Sequence, residues 1–473
     1  MVRLLLLSLV LLSGLACAGD RVPVPSEPAN AGVAGGAGAP TSSPHQGGAG
    51  SSNEGGAAQA GIAGVAQHGG SGGANGAGAA ASGGNGGGAS GAAGSAGAGG
   101  SGHWVGTWAC GPQITEVANL PPSPGLAGNT LRQVLRVSRG GSKLRLRLSN
   151  EFGASPVSMS SVRVAASLGG DAIDLATDAR LSFGGDEALT IAAGEAVFSD
   201  AFDFALEPLA RLAVSIHFES QSGDVTGHPG SRTNSFLQAG DAAGSASLAS
   251  AVTAEHWYFI TGIDVLAEAA SGAVVVLGDS ITDGKGSTTD QNNRWPDILA
   301  ERLQASPATA SIGVLNLGIG GNAVLSGGIG PVATDRFDRD VLGQSGARWL
   351  IVLEGVNDIG PSGGDAMVSP LLEAYQAFIA KSRQAGMLAY GATLLPMAGS
   401  IYESNEAARV TVNQWIRSSG AFDAVLDFDA AMRDPGMPTR LLPSYDSGDG
   451  LHPSPAGHRR LGEAVDLALL SLQ

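Results

Sequence analysis

The sequence predicts an α/β chain in three parts. A three-layer α/β/α doubly wound parallel sheet is expected at the C-terminal end, preceded by a β-rich, sandwich-like region and a long stretch that cannot build a core. Three observations carry this. Apolar runs at Ala273–Leu277, Val314–Leu317, Trp349–Leu353, Leu388–Thr393 and Ala424–Phe428 read as buried parallel strands. Amphipathic stretches at Arg294–Gln304, Asp335–Leu342, Pro370–Arg383 and Asn405–Ser418 separate them, and a closing helix is expected from Ser454 to Leu470. Before about residue 265, period-two alternation replaces helical periodicity.

The N-terminus reads as an export signal over residues 1–18. Arg3 gives a short positive region, Leu4 to Leu12 an apolar one too short to span a membrane, and small residues follow. Two processing routes stay open. Ala16-Cys17-Ala18 fits ordinary cleavage before Gly19, whereas Leu15-Ala16-Cys17 resembles the end of a bacterial lipobox, with Gly14 where a leucine is usual and Cys17 as the lipidation candidate. From Gly19 to Gly102 the chain is mostly Gly, Ala and Ser with scattered Asn and Gln, and has no aromatic residue. It cannot bury enough apolar surface to offset its ordering entropy, so residues 19–102 are expected to be a flexible, removable linker. A tether beside a lipid anchor has a use, since it lifts a domain off a membrane. That favours the exported lipoprotein over simple secretion.

Composition closes other routes. Of 473 residues 74 are glycine, and the net charge is −16, which argues against nucleic acid as a partner. Two cysteines are too few for a disulfide framework, and Cys110 is expected as a small buried residue. A monomer is expected.

The composition changes abruptly at His103-Trp104-Val105-Gly106-Thr107-Trp108, where a β-rich region over 103–268 begins. Lys143 to Leu148 alternates charged residues with leucines, and Leu212, Val214, Ile216 and Phe218 alternate likewise. Leu131–Val137, Arg139-Gly140-Gly141-Ser142 and the strand after them predict a hairpin. Residues 269–473 form the α/β domain, whose site should gather at the carboxyl ends of its strands.

The chemistry-bearing residues fall at those ends. The first run leads into Gly278-Asp279-Ser280-Ile281-Thr282-Asp283-Gly284, with a hydroxyl at a strand-to-helix turn. Ser280 alone is as easily a helix cap. The second leads into Gly318-Ile319-Gly320-Gly321-Asn322, where glycines let backbone N–H groups approach a ligand. The third leads into Gly355-Val356-Asn357-Asp358, and a carboxamide there can donate to a developing oxyanion, although both residues also suit a turn. Asp449-Gly450-Leu451-His452-Pro453 precedes the last helix. Activating a serine needs an imidazole as proton acceptor and a carboxylate to orient it, and one local turn can hold these two.

In order and on strand ends, these four blocks resemble the SGNH (GDSL-type) hydrolases. The resemblance covers about residues 270–473. It implies a flavodoxin-like α/β/α fold, a carboxylic ester hydrolase without a cofactor, and a triad of Ser280, Asp449 and His452. The oxyanion hole would be the N–H groups of Ser280 and Gly321 with the Asn357 side chain, Gly320 being the other alignment for Gly321. A β-rich region ahead of Gly-Asp-Ser also looks like the bacterial two-domain acyl esterases of xylanase gene clusters. That implies short acyl groups, acetyl above all, on carbohydrates or other small esters. Two other readings stand beside it: a surface-tethered carbohydrate-binding protein with an inactive hydrolase domain, and a lipase or thioesterase for longer chains.

Other signals carry less. Gly69-Gly70-Ser71-Gly72-Gly73 fits a nucleophile elbow only formally, with no strand before it. Gly318-x-Gly320-x-x-Ala323 imitates a dinucleotide fingerprint in the wrong place. Asp427-Phe428-Asp429 is expected as solvated carboxylates with no metal. His228 and His256 are expected to be structural, His228 being a minor candidate for the site mouth, and His458 is expected to be exposed.

Overall fold

In the computed structural model, which describes residues 102–361 and 363–471, the chain opens with two antiparallel sheets that share one apolar core. The expected signal peptide, Cys17 and all but the last residue of the 19–102 linker lie outside the described residues. The principal strands are β1 (His103–Ala109), β2 (Asn129–Arg136), β3 (Gly141–Ser149), β4 (Val157–Gly169), β5 (Phe202–Leu206), β6 (Arg211–Ser220), β7 (Ser235–Ala239) and β8 (Ile260–Ala267). One sheet runs β1-β8-β3-β5 and the other β7-β2-β6-β4, with shorter strands at their edges, and a separate small sheet pairs Trp257–Tyr258, Thr226–His228 and Gln113–Ile114. The expected alternation holds in β3: Leu144, Leu146 and Leu148 are fully buried, while Arg145 turns outward to Asp264. Each such leucine contributes roughly 1.5–3 kcal/mol by leaving water.

The expected hairpin does not form. β2 pairs with β6 and β7, β3 pairs with β5 and β8, and the Arg139–Ser142 turn arches from one sheet to the other. Both strands carry apolar faces, and crossing between sheets lets those faces meet in the core. The backbone before the turn is also committed elsewhere, with Val137 N–H donating to Ala210 O (3.0 Å) and Ser138 N–H to Thr107 O (2.8 Å).

The second part is a parallel sheet of β9 (Gly272–Gly278), β10 (Ile312–Gly318), β11 (Ala347–Leu353), β12 (Leu388–Ala392) and β13 (Ala424–Leu426), in the order β10-β9-β11-β12-β13. This is the 2-1-3-4-5 order of a doubly wound fold, with its switch point at β9. Helices α1 (Ser280–Asp283), α2 (Trp295–Gln304), α3 (Ala333–Phe337), α4 (Val356–Ile359), α5 (Val368–Gln384), α6 (Glu406–Ser418), α7 (Phe428–Met432) and α8 (Pro455–Ala464) follow the strands. α2 packs on α8 and β10, whereas α5 packs on α6 and β12.

β1 belongs to both cores. Val105 and Ala109 face the parallel sheet, while Trp108 and Cys110 face the sandwich. Gly106 sits where β1 crosses β10, and a Cβ there would lie 2.7 Å from Leu315 Cδ1. Cys110 is buried as expected, and burial pushes its thiol pKa up.

Three local expectations change. The closing helix ends at Ala464, because Arg302 takes the carbonyls of Gly462 and Val465 (2.7 Å each) and Asp466 caps a new short turn, Leu467–Leu470. Asp429 is buried and ion-paired to Arg409 and Arg417, so it is not solvated. His458 is fully buried on α8, with Nε2 donating to Lys285 O at 3.0 Å. It lies on the inward face with Leu461, which the hydropathy of a histidine conceals. Burial lowers its pKa to about 4 from 6.5, with the Lys285 carbonyl opposing. The unfolded chain therefore binds a proton that the fold excludes, and stability should fall as pH drops from 6.5 to 4, by about 3 kcal/mol at most. Denaturant titrations of the native chain and His458→Gln across that window measure it; parallel pH curves would overturn it.

Candidate active site

Register brings the site together. Gly278 pairs with Gly318 on one side and Leu353 on the other, so β9, β10 and β11 end at one level. The loops bearing Ser280, the paired glycines and Asn357 therefore leave the sheet side by side. Asp279, not Ser280, caps the short helix that follows: its Oδ1 accepts from Ile281 N–H at 2.9 Å. The hydroxyl of Ser280 is thus left for other partners.

It finds His452. Ser280 Oγ lies 2.8 Å from His452 Nε2, and His452 Nδ1 lies 2.6 Å from Asp449 Oδ2. The other carboxylate oxygen accepts from the backbone N–H groups of Leu451 (3.0 Å) and His452 (2.8 Å), so one turn fixes both residues. Partial burial raises the Asp449 pKa, but the His452 backbone and ring N–H groups and the Leu451 N–H outweigh it and bring it to about 2. An ionised carboxylate only accepts, so Nδ1 carries the proton and Nε2 is left to receive one from Ser280. Ser454, which caps α8 by accepting from Gly457 N–H at 3.2 Å, anchors the turn from the far side.

Asn357 sits on α4 with both ends of its amide engaged. Nδ2 donates to Asn322 O at 2.8 Å and Oδ1 accepts from Tyr402 OH at 3.1 Å, which fixes which end donates and leaves a second N–H. Gly320 and Gly321 both line the same cavity as Ser280, Asn357 and His452, which measures about 450 Å³. Gly321 has φ +71°, and its carbonyl accepts from Ile329 N–H (2.9 Å), while neither glycine N–H has a partner among the described residues. Asp358 supports this loop: its carboxylate accepts from Val324 (2.8 Å) and Leu325 (2.9 Å) N–H groups.

Beneath the three loops lies a buried guanidinium. Arg336 of α3 donates to Gly278 O (3.1 Å), Leu317 O (2.6 Å) and Asn322 Oδ1 (3.0 Å), and pairs with Asp340 (3.0 Å) and Glu354 (3.4 Å). It touches the ends of β9 and β10 and the residue just after β11. Burial raises the Glu354 pKa to about 7 against the pull of Arg336, with Asp358 and Asp340 adding to the rise. Burial also places Asp279 well above the ordinary carboxylate range. Arg336 thus joins Asp340 and Glu354 beneath the site, and Arg339 shares Asp340.

The sequence reading missed Arg336 and Tyr402. Neither lies in a strand-end block, and no local pattern distinguishes them. It also assigned no role to Asp283, one turn beyond Ser280, although the motif containing it was visible. His228 reaches this region: Nε2 faces Asp283 Oδ1 and Nδ1 faces Gly111 O, both at 2.9 Å, and the ring is buried. It joins the sandwich to α1. His256 lines the cavity, with Nδ1 donating to Pro229 O at 2.7 Å.

A doubly wound sheet of this order, with a hydroxyl, an imidazole and a carboxylate in one hydrogen-bonded line beside a cavity, marks the chain as a carboxylic ester hydrolase. Residues 276–460 match the model of the GDSL-like lipase/acylhydrolase family. No curated protein matches the chain. Similar solved structures include a carbohydrate acetylesterase family member from Sinorhizobium meliloti, 14% identical over 42% of this chain and 97% of that one, TM-score 0.34. An acetylxylan esterase from Geobacillus stearothermophilus is 21% identical over 41% and 91%, TM-score 0.31. A GDSL-like lipase from Bacteroides thetaiotaomicron is 16% identical over 42% and 87%, TM-score 0.32.

Proposed function

We propose that the chain is a serine esterase that removes short acyl groups, acetyl above all, from carbohydrates or similar polar alcohols. The observation that carries the reading is the line from Ser280 Oγ through His452 to Asp449, opening on a cavity of about 450 Å³. His452 Nε2 takes the Ser280 proton as Oγ bonds to the ester carbonyl carbon. The carbonyl oxygen becomes an oxyanion received by the N–H groups of Ser280 and Gly321 and by Asn357 Nδ2. Collapse breaks the bond to the alcohol oxygen, which leaves with the proton from His452. A water then gives a proton to His452, attacks the acyl-enzyme, and releases the acid with Ser280 restored.

Polar side chains favour a hydroxyl-rich alcohol: Gln113, Glu116, Asn119, Arg232 and Lys285 line the cavity with Ser280. One observation favours a second reading, an acylhydrolase for longer chains. Ile329 and Ile401 also line the cavity and are 46% and 88% exposed, an apolar margin beyond the needs of an acetyl group. A series of p-nitrophenyl esters from acetate to decanoate separates the two, with kcat/KM expected to peak at acetate and a peak beyond butyrate overturning that expectation. A binding protein with a silent hydrolase domain would turn over none of them and would not take up a serine-directed phosphonate.

We also propose that the mature protein is held at the cell surface through a lipidated Cys17 and the 19–102 tether. A diacylglycerol adduct in the mass of the exported protein is the expected result, and a mature terminus at Gly19 would exclude it.

A further inference from the structure

We infer that Arg232, supported by Lys285, forms a subsite for an oxyanion on the substrate, so that the preferred ester carries a carboxylate or similar anionic group near the scissile bond. The inference rests on the esterase reading and specifies its substrate. It starts from what the polar groups of the cavity wall already do. Glu116 is spoken for, since its two oxygens accept from Gln113 Nε2 (2.7 Å) and Asn119 Nδ2 (3.0 Å). Asp283 is hydrogen-bonded to His228 through one oxygen, and its other oxygen is shut in by Gly230, where a Cβ would lie only 1.8 Å away. The carboxylates therefore offer a ligand little.

The cations are different. Arg232 lines the cavity with its side chain 24% exposed, and its guanidinium makes no hydrogen bond among the described residues. It forms a long ion pair with Asp283 Oδ2 at 3.7 Å, with no hydrogen bond between them, and its Nε is buried with no partner. Elsewhere in the sandwich Arg132 and Arg163 spend their donors on carbonyls, a hydroxyl and a carboxylate. Lys285 also lines the cavity, and its ammonium has no partner among the described residues. What the wall holds out is donor capacity, and a planar guanidinium with free donors matches an oxyanion in geometry as well as charge.

The backbone is built to hold Arg232 there. Its φ is +51°, a left-handed conformation that is strained for a non-glycine residue and persists only where surrounding contacts impose it. Those contacts are present. His228 is bonded at both ring nitrogens, Gly230 is packed on Asp283, and Arg232 O accepts from Asp290 N–H at 2.9 Å. Asp290 in turn accepts twice from Asn234 (2.8 and 2.6 Å). The segment from His228 to Asn234 is thus pinned beside the nucleophile's helix, and the sandwich supplies a specificity-determining residue to the hydrolase site.

The test uses 4-acetoxybenzoate and its methyl ester, which offer the same acetyl ester with and without a carboxylate. In Arg232→Gln, kcat/KM for the anionic ester should fall roughly tenfold or more beyond any change for the methyl ester, mainly through KM. Lys285→Gln should move selectivity the same way by less, and Arg232→Lys should restore part of it. Equal losses on both esters, or none, would overturn the subsite. Calorimetric binding of 4-hydroxybenzoate to the Ser280→Ala chain reads the same site without turnover. Affinity that drops when Arg232→Gln is added supports the subsite, and unchanged affinity refutes it. A native chain that binds 4-hydroxybenzoate but cleaves neither ester would refute the esterase reading and leave the anion site standing.

Discussion

Ser280→Ala and His452→Ala are each expected to lower kcat by about 10⁶-fold, because serine and imidazole act as one unit and neither retains function alone. In the proposed mechanism Ser280 supplies the bond-forming oxygen, and it lies 2.8 Å from the nitrogen that takes its proton. Asp449→Asn should cost less, about 10⁴-fold, since an amide can occupy the same turn but presents its own N–H to the ring and favours the wrong tautomer. The pH profile follows. Only neutral imidazole accepts a proton, so kcat/KM should fall on the acid side. The Asp449 pKa of about 2 keeps the carboxylate charged throughout that range, so the acid limb should fit a single ionisation. Two ionisations on that limb would mean that the carboxylate is not held as described. Near-normal turnover by Ser280→Ala would remove the nucleophile assignment altogether.

Sequence alone disclosed the parallel sheet more fully than the sandwich, and the reason is physical. Buried parallel strands are continuous apolar runs, so β9 through β12 are visible as written, and their ends coincide with the motifs. Antiparallel strands are equally visible one by one, as Leu144, Leu146 and Leu148 demonstrate, but their partners are not. The glycine turn between β2 and β3 looks the same whether it closes a hairpin or arches between sheets, and only the competing bonds to Ala210 and Thr107 decide it. Residues that work through distance are the least legible. Arg336 reads as an ordinary charge in a helical stretch, yet it binds the ends of β9 and β10 and the Glu354 carboxyl just after β11. His228 ends a short strand, Thr226–His228, and Arg232 lies in the loop after it; packing brings both to α1. His458 was misplaced for the same reason, since a helix's inward face is set by what it packs on.

Asn357→Ala is expected to lower kcat by roughly 10²–10³, about 2.7–4 kcal/mol, and to leave KM nearly unchanged. The argument starts from where charge appears. A ground-state ester carbonyl carries a partial charge and the tetrahedral intermediate a full one, so a fixed donor stabilises the intermediate more than the substrate. The Asn357 amide is fixed at both ends, by Asn322 O at 2.8 Å and by the hydroxyl of Tyr402 at 3.1 Å. Burial raises the Tyr402 pKa and the nearby Asp279 adds to the rise, so the phenol stays protonated and remains a donor. Tyr402→Phe removes that brace without touching the catalytic donor, and the loss of one hydrogen bond of about 1 kcal/mol should lower kcat about fivefold with KM again steady. Asp358→Ala is the control for loop integrity. Asp358 is 5% exposed and its carboxylate holds two backbone N–H groups, so its loss should lower unfolding stability by on the order of 2 kcal/mol or more, whatever it does to activity. The three variants therefore separate in two measurements, steady-state kinetics and thermal melting. If Asn357→Ala instead raises KM and spares kcat, the side chain binds substrate, and the oxyanion rests on the backbone N–H groups of Ser280 and Gly321 alone.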